Sequence, residues 1–183
     1  MSTAENKAPT LHGVKDGEIF TLAGFEFIKF PSVDGKTPVV MKDIAFRSTF
    51  GNSNNFKESD VLKRLESEVL PKVAAAIGED NLYTIKTDLT TWDGLKVYGE
   101  LESLISIPTM DFYRENVDIF DKYKPAAWWW LATADSAKPH YDPTWVLCVA
   151  PAGVIFLGDY YNDGNGVRPF FLFKSSIFES SEQ

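Results

Sequence analysis

Bulky apolar and polar positions alternate over residues 18–30 (EIFTLAGFEFIKF) around Gly24, which predicts two strands joined by a tight turn. Residues 31–36 (PSVDGK) are turn chemistry, and Pro38-Val39-Val40-Met41 reads as a third strand returning against the first pair. The period then changes. Val61, Leu62, Leu65, Val69, Leu70, Val73 and Ile77 recur at three- and four-residue spacing, which predicts a helix capped by Ser59 or Asp60 and ended by Gly78. Pro71 falls inside it and predicts a kink or break near Val69 into two shorter helices. Residues 81–100 mix Thr, Asp and Gly with isolated aromatics, a long connection with short strands. Residues 101–107 are apolar and stop at Pro108, after which Thr109 can cap a short helix through Met110, Phe112 and Tyr113. Further strands are expected over residues 128–134, 145–150, 154–157 and 167–173. The chain therefore reads as α+β, with mixed, largely antiparallel strands and two or three helices. The last strand is too apolar to face water and is expected to pair with the first strands in one antiparallel sheet.

The pattern also divides the chain. Residues 1–15 are polar and small, carry Pro9 and lack periodicity, so they read as a flexible N-terminal arm. Residues 16–174 form one domain, and residues 175–183 a tail whose polar run is broken only by Ile177 and Phe178. A chain of 183 residues buries a proper core without staples. Aromatics reach 14%, and that surplus must be core or binding surface.

Charge and cysteine content narrow the function classes. The net charge is −8 and the basic residues form no stripe, so nucleic acid and anionic membranes are poor partners. The single Cys148 lies in the apolar run WVLCVA and reads as a small buried hydrophobe, which excludes a disulfide framework. The N-terminus lacks a secretory signal, and no apolar stretch approaches the roughly 20 residues of a membrane span. Synthesis in a cytoplasm is expected, from which the protein could leave by lysis or within a particle.

Two polar stretches between the late strands carry the candidate chemistry. Asp135, Ser136, Lys138, His140, Tyr141 and Asp142 lie in one, and Asp159, Tyr160, Tyr161, Asn162 and Asp163 in the other. As a set they resemble an antibody paratope, in which Tyr gives rigid amphipathic area and Asp, Asn and Ser give adaptable hydrogen bonds. The plainer reading is that they are polar turns. The tract Trp128-Trp129-Trp130 places Trp128 and Trp130 on one strand face and Trp129 on the other. Trp128 and Trp130 are taken as mainly structural. Arg168, between Val167 and Pro169, is costly in a strand unless paired, and reads as a structural arginine held by backbone carbonyls or a carboxylate.

Metal and catalytic patterns are weak. Calcium-dependent sugar sites need converging carboxamide and carboxylate oxygens, to which Asn162-Asp163-Gly164-Asn165 is the nearest approach and more often a turn. Two histidines, His12 and His140, do not make a multi-histidine zinc site. His140, Ser136 and Asp142 could be drawn as a triad, but no nucleophile elbow or oxyanion motif accompanies them. The spacing of Gly158, Gly164 and Gly166 fits no phosphate loop. No catalytic residue, metal or cofactor is assigned.

The tract WWWLATA, the Val-rich strands with the turn at Ala152-Gly153 and the closing GVRPFFL resemble a C-type-lectin-fold domain family of gut bacteria and their phages, related to the variable proteins of diversity-generating retroelements. The strands around Phe25-Glu26-Phe27-Ile28 and the helix start Ser59-Asp60-Val61-Leu62-Lys63-Arg64-Leu65 extend the resemblance to about residues 17–173. Ala132-Thr133 departs from the Arg-Ser pair common in that family. The resemblance implies a C-type-lectin-like fold with the two polar stretches on its ligand-facing surface. It further implies a non-catalytic protein of phage or mobile-element origin that binds a protein or glycan on a bacterial cell surface. The alternative is a structural virion component, a head or tail decoration strapped to other virion proteins through residues 1–15. A relative of the formylglycine-generating oxidases is a third reading, disfavoured because those enzymes need a reactive cysteine pair or a metal set.

Overall fold

The computed structural model describes residues 11–140 and 144–177. Strands β1 (Ile19–Leu22) and β2 (Phe25–Lys29) form the expected hairpin, turning through Ala23 and Gly24, both at positive φ (54° and 79°). That pair of left-handed residues gives the turn a twist matching its strands, and glycine supplies half of it without strain. Strand β3 (Lys36–Met41) follows, then the two-residue β4 (Phe46–Arg47).

The long helix is continuous: α1 (Asp60–Arg64), a π-helical turn (Leu65–Val69) and α2 (Leu70–Ile77). Ser59 Oγ accepts from Leu62 N at 3.0 Å as the cap, and Gly78 closes the helix at φ 82°. The expected break at Pro71 takes the form of the widened π turn. Proline has no N–H to donate and its ring crowds the preceding turn, so loosening the ladder just before it lets the axis run on. Strands β5 (Ile85–Asp88) and β6 (Glu100–Ser103) make a separate hairpin within the expected long connection. Helix α3 (Met110–Glu115) is capped by Thr109, whose side chain accepts from Phe112 N, and α4 (Val117–Phe120) follows directly.

The last third supplies β7 (Trp129–Ala134), β8 (Trp145–Val149), β9 (Ile155–Asp159), β10 (Gly166–Val167) and β11 (Phe170–Lys174). One sheet has the order β1-β2-β3-β11 and the other β4-β10-β7-β8-β9, antiparallel except where β10 meets β7. First and last strands thus share an antiparallel sheet, with β2 and β3 between them.

Residues 167–173, expected as one strand, are two strands in different sheets. The chain changes sheet at Arg168-Pro169, where proline cannot donate to a ladder and the Pro169 carbonyl instead accepts from Met41 N at 2.9 Å. Strand β7 is buried along its whole length. Its alternate side chains enter two cores: Trp130 and Ala132 pack with Phe50, Phe56 and the long helix, while Trp129 and Leu131 pack with Phe30, Tyr113 and Phe120.

Trp128 departs from its expected structural role. It precedes β7, is 40% exposed and meets Phe156 edge to face at 5.0 Å. Both true core tryptophans therefore lie within β7, one on each face. The described end of the expected N-terminal arm also departs from expectation. Leu11 and Val14 are buried, and Leu11 N donates to the Ile177 carbonyl, so residues 11–14 and 177 close one side of the first core. Residues 1–10 and 178–183 lie outside the described residues. No helix among the described residues is long and apolar enough to cross a membrane.

Candidate functional site

Strand β8 is the base from which both polar connections spring. Asp135 N donates to the Trp145 carbonyl at 3.2 Å, closing β7 against β8, and Tyr160 N donates to the Thr144 carbonyl at 2.9 Å, closing β9 against β8. Both connections therefore leave the same end of the sheet. Tyr141 and Asp142 lie outside the described residues. Lys138 and Tyr160, one from each connection, line a concavity of about 480 Å3 with Asn52, Asn54, Val97 and Tyr98.

Three residues that sequence reasoning did not select hold this end together. Asn54 is 1% exposed, and its Nδ2 donates to the carbonyls of Ser136 (2.9 Å) and Trp145 (3.2 Å) while its Oδ1 accepts from Tyr98 Oη. A buried carboxamide satisfied on both ends fixes the first connection to β8. Asp93 takes hydrogen bonds from Thr91 Oγ1 (2.6 Å) and Ser136 Oγ (2.5 Å), and His140 Nδ1 lies 2.7 Å from its Oδ2. The Ser136, Thr91 and His140 hydrogen bonds, in that order, draw its carboxyl from 3.8 to about 2. The signal for Asp93 was its turn sequence Thr91-Trp92-Asp93-Gly94, and for Asn54 the polar cluster Asn52-Ser53-Asn54-Asn55. Both look like ordinary loops until β7 is placed beside them.

This arrangement differs from a catalytic triad. Ser136 is buried and donates to Asp93 rather than to His140, so its oxygen is not set up for deprotonation by the imidazole. The carboxylate sits between serine and histidine and orders the 136–140 segment. Among the described residues no three His, Cys, Asp or Glu side chains converge on a point that could hold a metal.

The second connection divides its residues between two surfaces. Tyr160 is half-buried against the first core, and its carbonyl accepts from Phe50 N at 2.8 Å. Tyr161 is 64% exposed, packs edge to face on Tyr160, and donates from Oη to Asp159 Oδ2 at 2.9 Å. That hydrogen bond, with the carboxylate's charge, pushes the Tyr161 phenol pKa up. Asn162 and Gly164 turn the chain, Gly164 N donating to Asn162 Oδ1, and Asn162 faces a different hollow beneath β9. Asp163 is exposed. Ser136, Lys138, His140, Tyr160 and Tyr161 thus belong to one end of the sheet, and Asn162 lies apart from their concavity.

Arg168 holds the other structural centre. It is 1% exposed; Nε donates to the Met41 carbonyl at 3.1 Å, and Nη2 to those of Lys42 (2.9 Å) and Tyr123 (3.4 Å). The guanidinium also lies over the Trp129 ring, 4.7 Å from its centroid. Burial lowers its pKa and the nearby Asp43 charge opposes that shift. Backbone carbonyls are therefore its hydrogen-bond partners, and it ties the β3-to-β4 and β10-to-β11 sheet changes at one corner.

Compared with known proteins, the chain matches no family model, no curated protein and no solved structure.

Proposed function

We propose that the protein is a non-catalytic binding module with a C-type-lectin-like fold, which engages its partner through the end of the second sheet formed by residues 135–140 and 159–161. One observation carries the reading. Two connections rich in Tyr, Asp, Ser and His are anchored at their roots, by Asn54 and by the β8 carbonyls, while Lys138, His140 and Tyr161 at their crests stay exposed. Rigid roots under exposed aromatic and polar crests are what an adaptable interface requires, because ordering cost is met in folding rather than on binding. The sequence resemblance supplies the partner class, a protein or glycan on a bacterial surface, and the phage or mobile-element setting.

Interface energy concentrates in a few aromatic anchors. Tyr161 is the exposed one, so Tyr161→Ala should weaken binding to a host surface by about 2 kcal/mol, roughly thirtyfold, without altering the melting curve. The measurement is retention of labelled protein on candidate bacterial cells, with and without chelator. Binding that persists unchanged in Tyr161→Ala and in Lys138→Glu would move the site off this face, and loss on chelation would bring in calcium.

A further inference from the structure

The second sheet ends on β9, which among the described residues has a neighbour on one side only. Its pairing with β8 is unbroken over five residues, Ile155 to Asp159. Tyr160 N bonds to Thr144 O and Ala150 N to Val154 O on this ladder, so even-numbered positions face β8. The N–H and C=O groups of Ile155 and Leu157 consequently point outward. Such edges are ordinarily blunted by charge, proline or a bulge. Residues 154–158 carry none, and Val154, Phe156 and Leu157 are 53%, 49% and 46% exposed. Two other edges contrast with it: β4 is two residues long and bears Arg47, and β11 is bridged by Leu82 and Ser106.

Beside β9, on the face bearing Phe156 and Gly158, lies a hollow of about 370 Å3 lined by Trp128, Cys148, Phe156, Gly158, Asn162 and Asn165. That volume is within the range of specific binding clefts. Among the described residues no charged side chain lines it. Asn165 is 5% exposed, and its Nδ2 finds no hydrogen-bond acceptor among the described residues; it approaches the Cys148 sulfur, a weak acceptor whose own proton is directed to the Phe156 carbonyl. A buried donor left without an acceptor is costly until a ligand supplies one.

We propose that β9 and this hollow together bind an extended segment of a partner protein, added antiparallel as a sixth strand, with an Asn or Gln side chain opposite Gly158. The outward groups of Ile155 and Leu157 give main-chain hydrogen bonds, and the hollow gives specificity. The position opposite Gly158 is a non-hydrogen-bonded one, where side chains approach most closely, and Asn165 Nδ2 lies 3.2 Å from where a Cβ on residue 158 would stand, so no side chain of residue 158 separates the insert from it. The inserted carboxamide oxygen accepts from Asn165 Nδ2. Asp159 and Asp163 stand at one end of β9 on a chain of net charge −8, so the segment carries Lys or Arg where it passes them. A second copy fits less well. It brings the same acidic end, and its own VIFLG strand offers no carboxamide. This site meets the loop face only at Asp159.

The test is titration of the full chain with a labelled peptide of alternating Val and Thr, Lys at both ends and a central Gln. Controls are its central-Leu counterpart and a version N-methylated at alternate residues. The Gln peptide should bind about tenfold more tightly than the Leu peptide, and Asn165→Leu should erase that preference without lowering the melting temperature. Leu157→Pro removes an outward N–H that β8 does not use, and should weaken both peptides by more than about tenfold. If that variant fails to fold, loss of binding by the N-methylated peptide carries the same information. Equal affinity for the Gln and Leu peptides, or equal affinity for the N-methylated version, would overturn the proposal. So would a native dimer in sedimentation that Leu157→Pro converts to monomer, since the edge would then belong to a second copy.

Discussion

Arg168 and Asp93 are both charged groups held by several hydrogen bonds, yet they are held by different kinds of partner. Arg168 is buried and bonded to the backbone carbonyls of Met41, Lys42 and Tyr123, drawn from segments that are remote in sequence. Asp93 stands at the surface and is bonded to the side chains of Thr91, Ser136 and His140. Carbonyl partners can be replaced only by moving the chain, so Arg168 fixes where strands change sheet. Side-chain partners can be exchanged one at a time, so Asp93 orders a segment whose crest remains free to vary.

The largest expected effect falls on the buried member. Arg168→Met leaves the Met41 and Lys42 carbonyls without a donor and should cost about 3 kcal/mol, measured as the drop in a thermal or urea melt. An unchanged melt would remove the contrast. Gly158→Ala comes next, because a Cβ there would lie 2.9 Å from Trp130 Cζ3 in the first core. Overpacking of that kind costs roughly 1–3 kcal/mol, and a melt as stable as the native one would mean that the Trp130 ring can shift.

Asp93→Asn should cost less than about 1 kcal/mol, as exposed charge interactions do, while raising backbone exchange in residues 136–140. The pH dependence has a definite sign. Asp93 is depressed from 3.8 to about 2, so its contribution to stability is full above pH 4 or so and is lost as pH falls toward 2. Carbon-13 titration of its carboxyl should give a midpoint near 2, and a midpoint near 4 would show that the Thr91 and Ser136 hydrogen bonds are not kept in solution. The smallest effect on stability belongs to Tyr161→Ala, expected within about 0.5 kcal/mol because the ring is exposed.

Most elements were legible from periodicity because local causes set them. The spacing from Val61 to Ile77, Thr109 before Met110, and the alternation through β1 and β2 each act over a few residues. The place where residues 167–173 divide was not legible, since Pro169 marks a possible interruption and only the corner at Arg168 decides it. Trp128 misled for the same reason: its neighbours are core, and the one-residue offset of the β7 start is set by pairing with Val149. The arginine's carbonyl partners were legible as a class, from the cost of burying a lone charge. Asn54, Tyr98 and Asp93 were not, because their work depends on β7 and β8, which lie dozens of residues away in the chain.

Cys148 makes the edge of the second sheet report on its own opening. It is the chain's sole cysteine, its Sγ points to the Phe156 carbonyl of β9 at 3.4 Å, and burial pushes its pKa up to about 11. At neutral pH only roughly one thiol in ten thousand is ionised, and reagents reach it slowly while the strands are closed. Alkylation of the native protein therefore reads out the fraction of time for which the packing over Cys148 is open, with no engineered residue and no competing thiol to subtract.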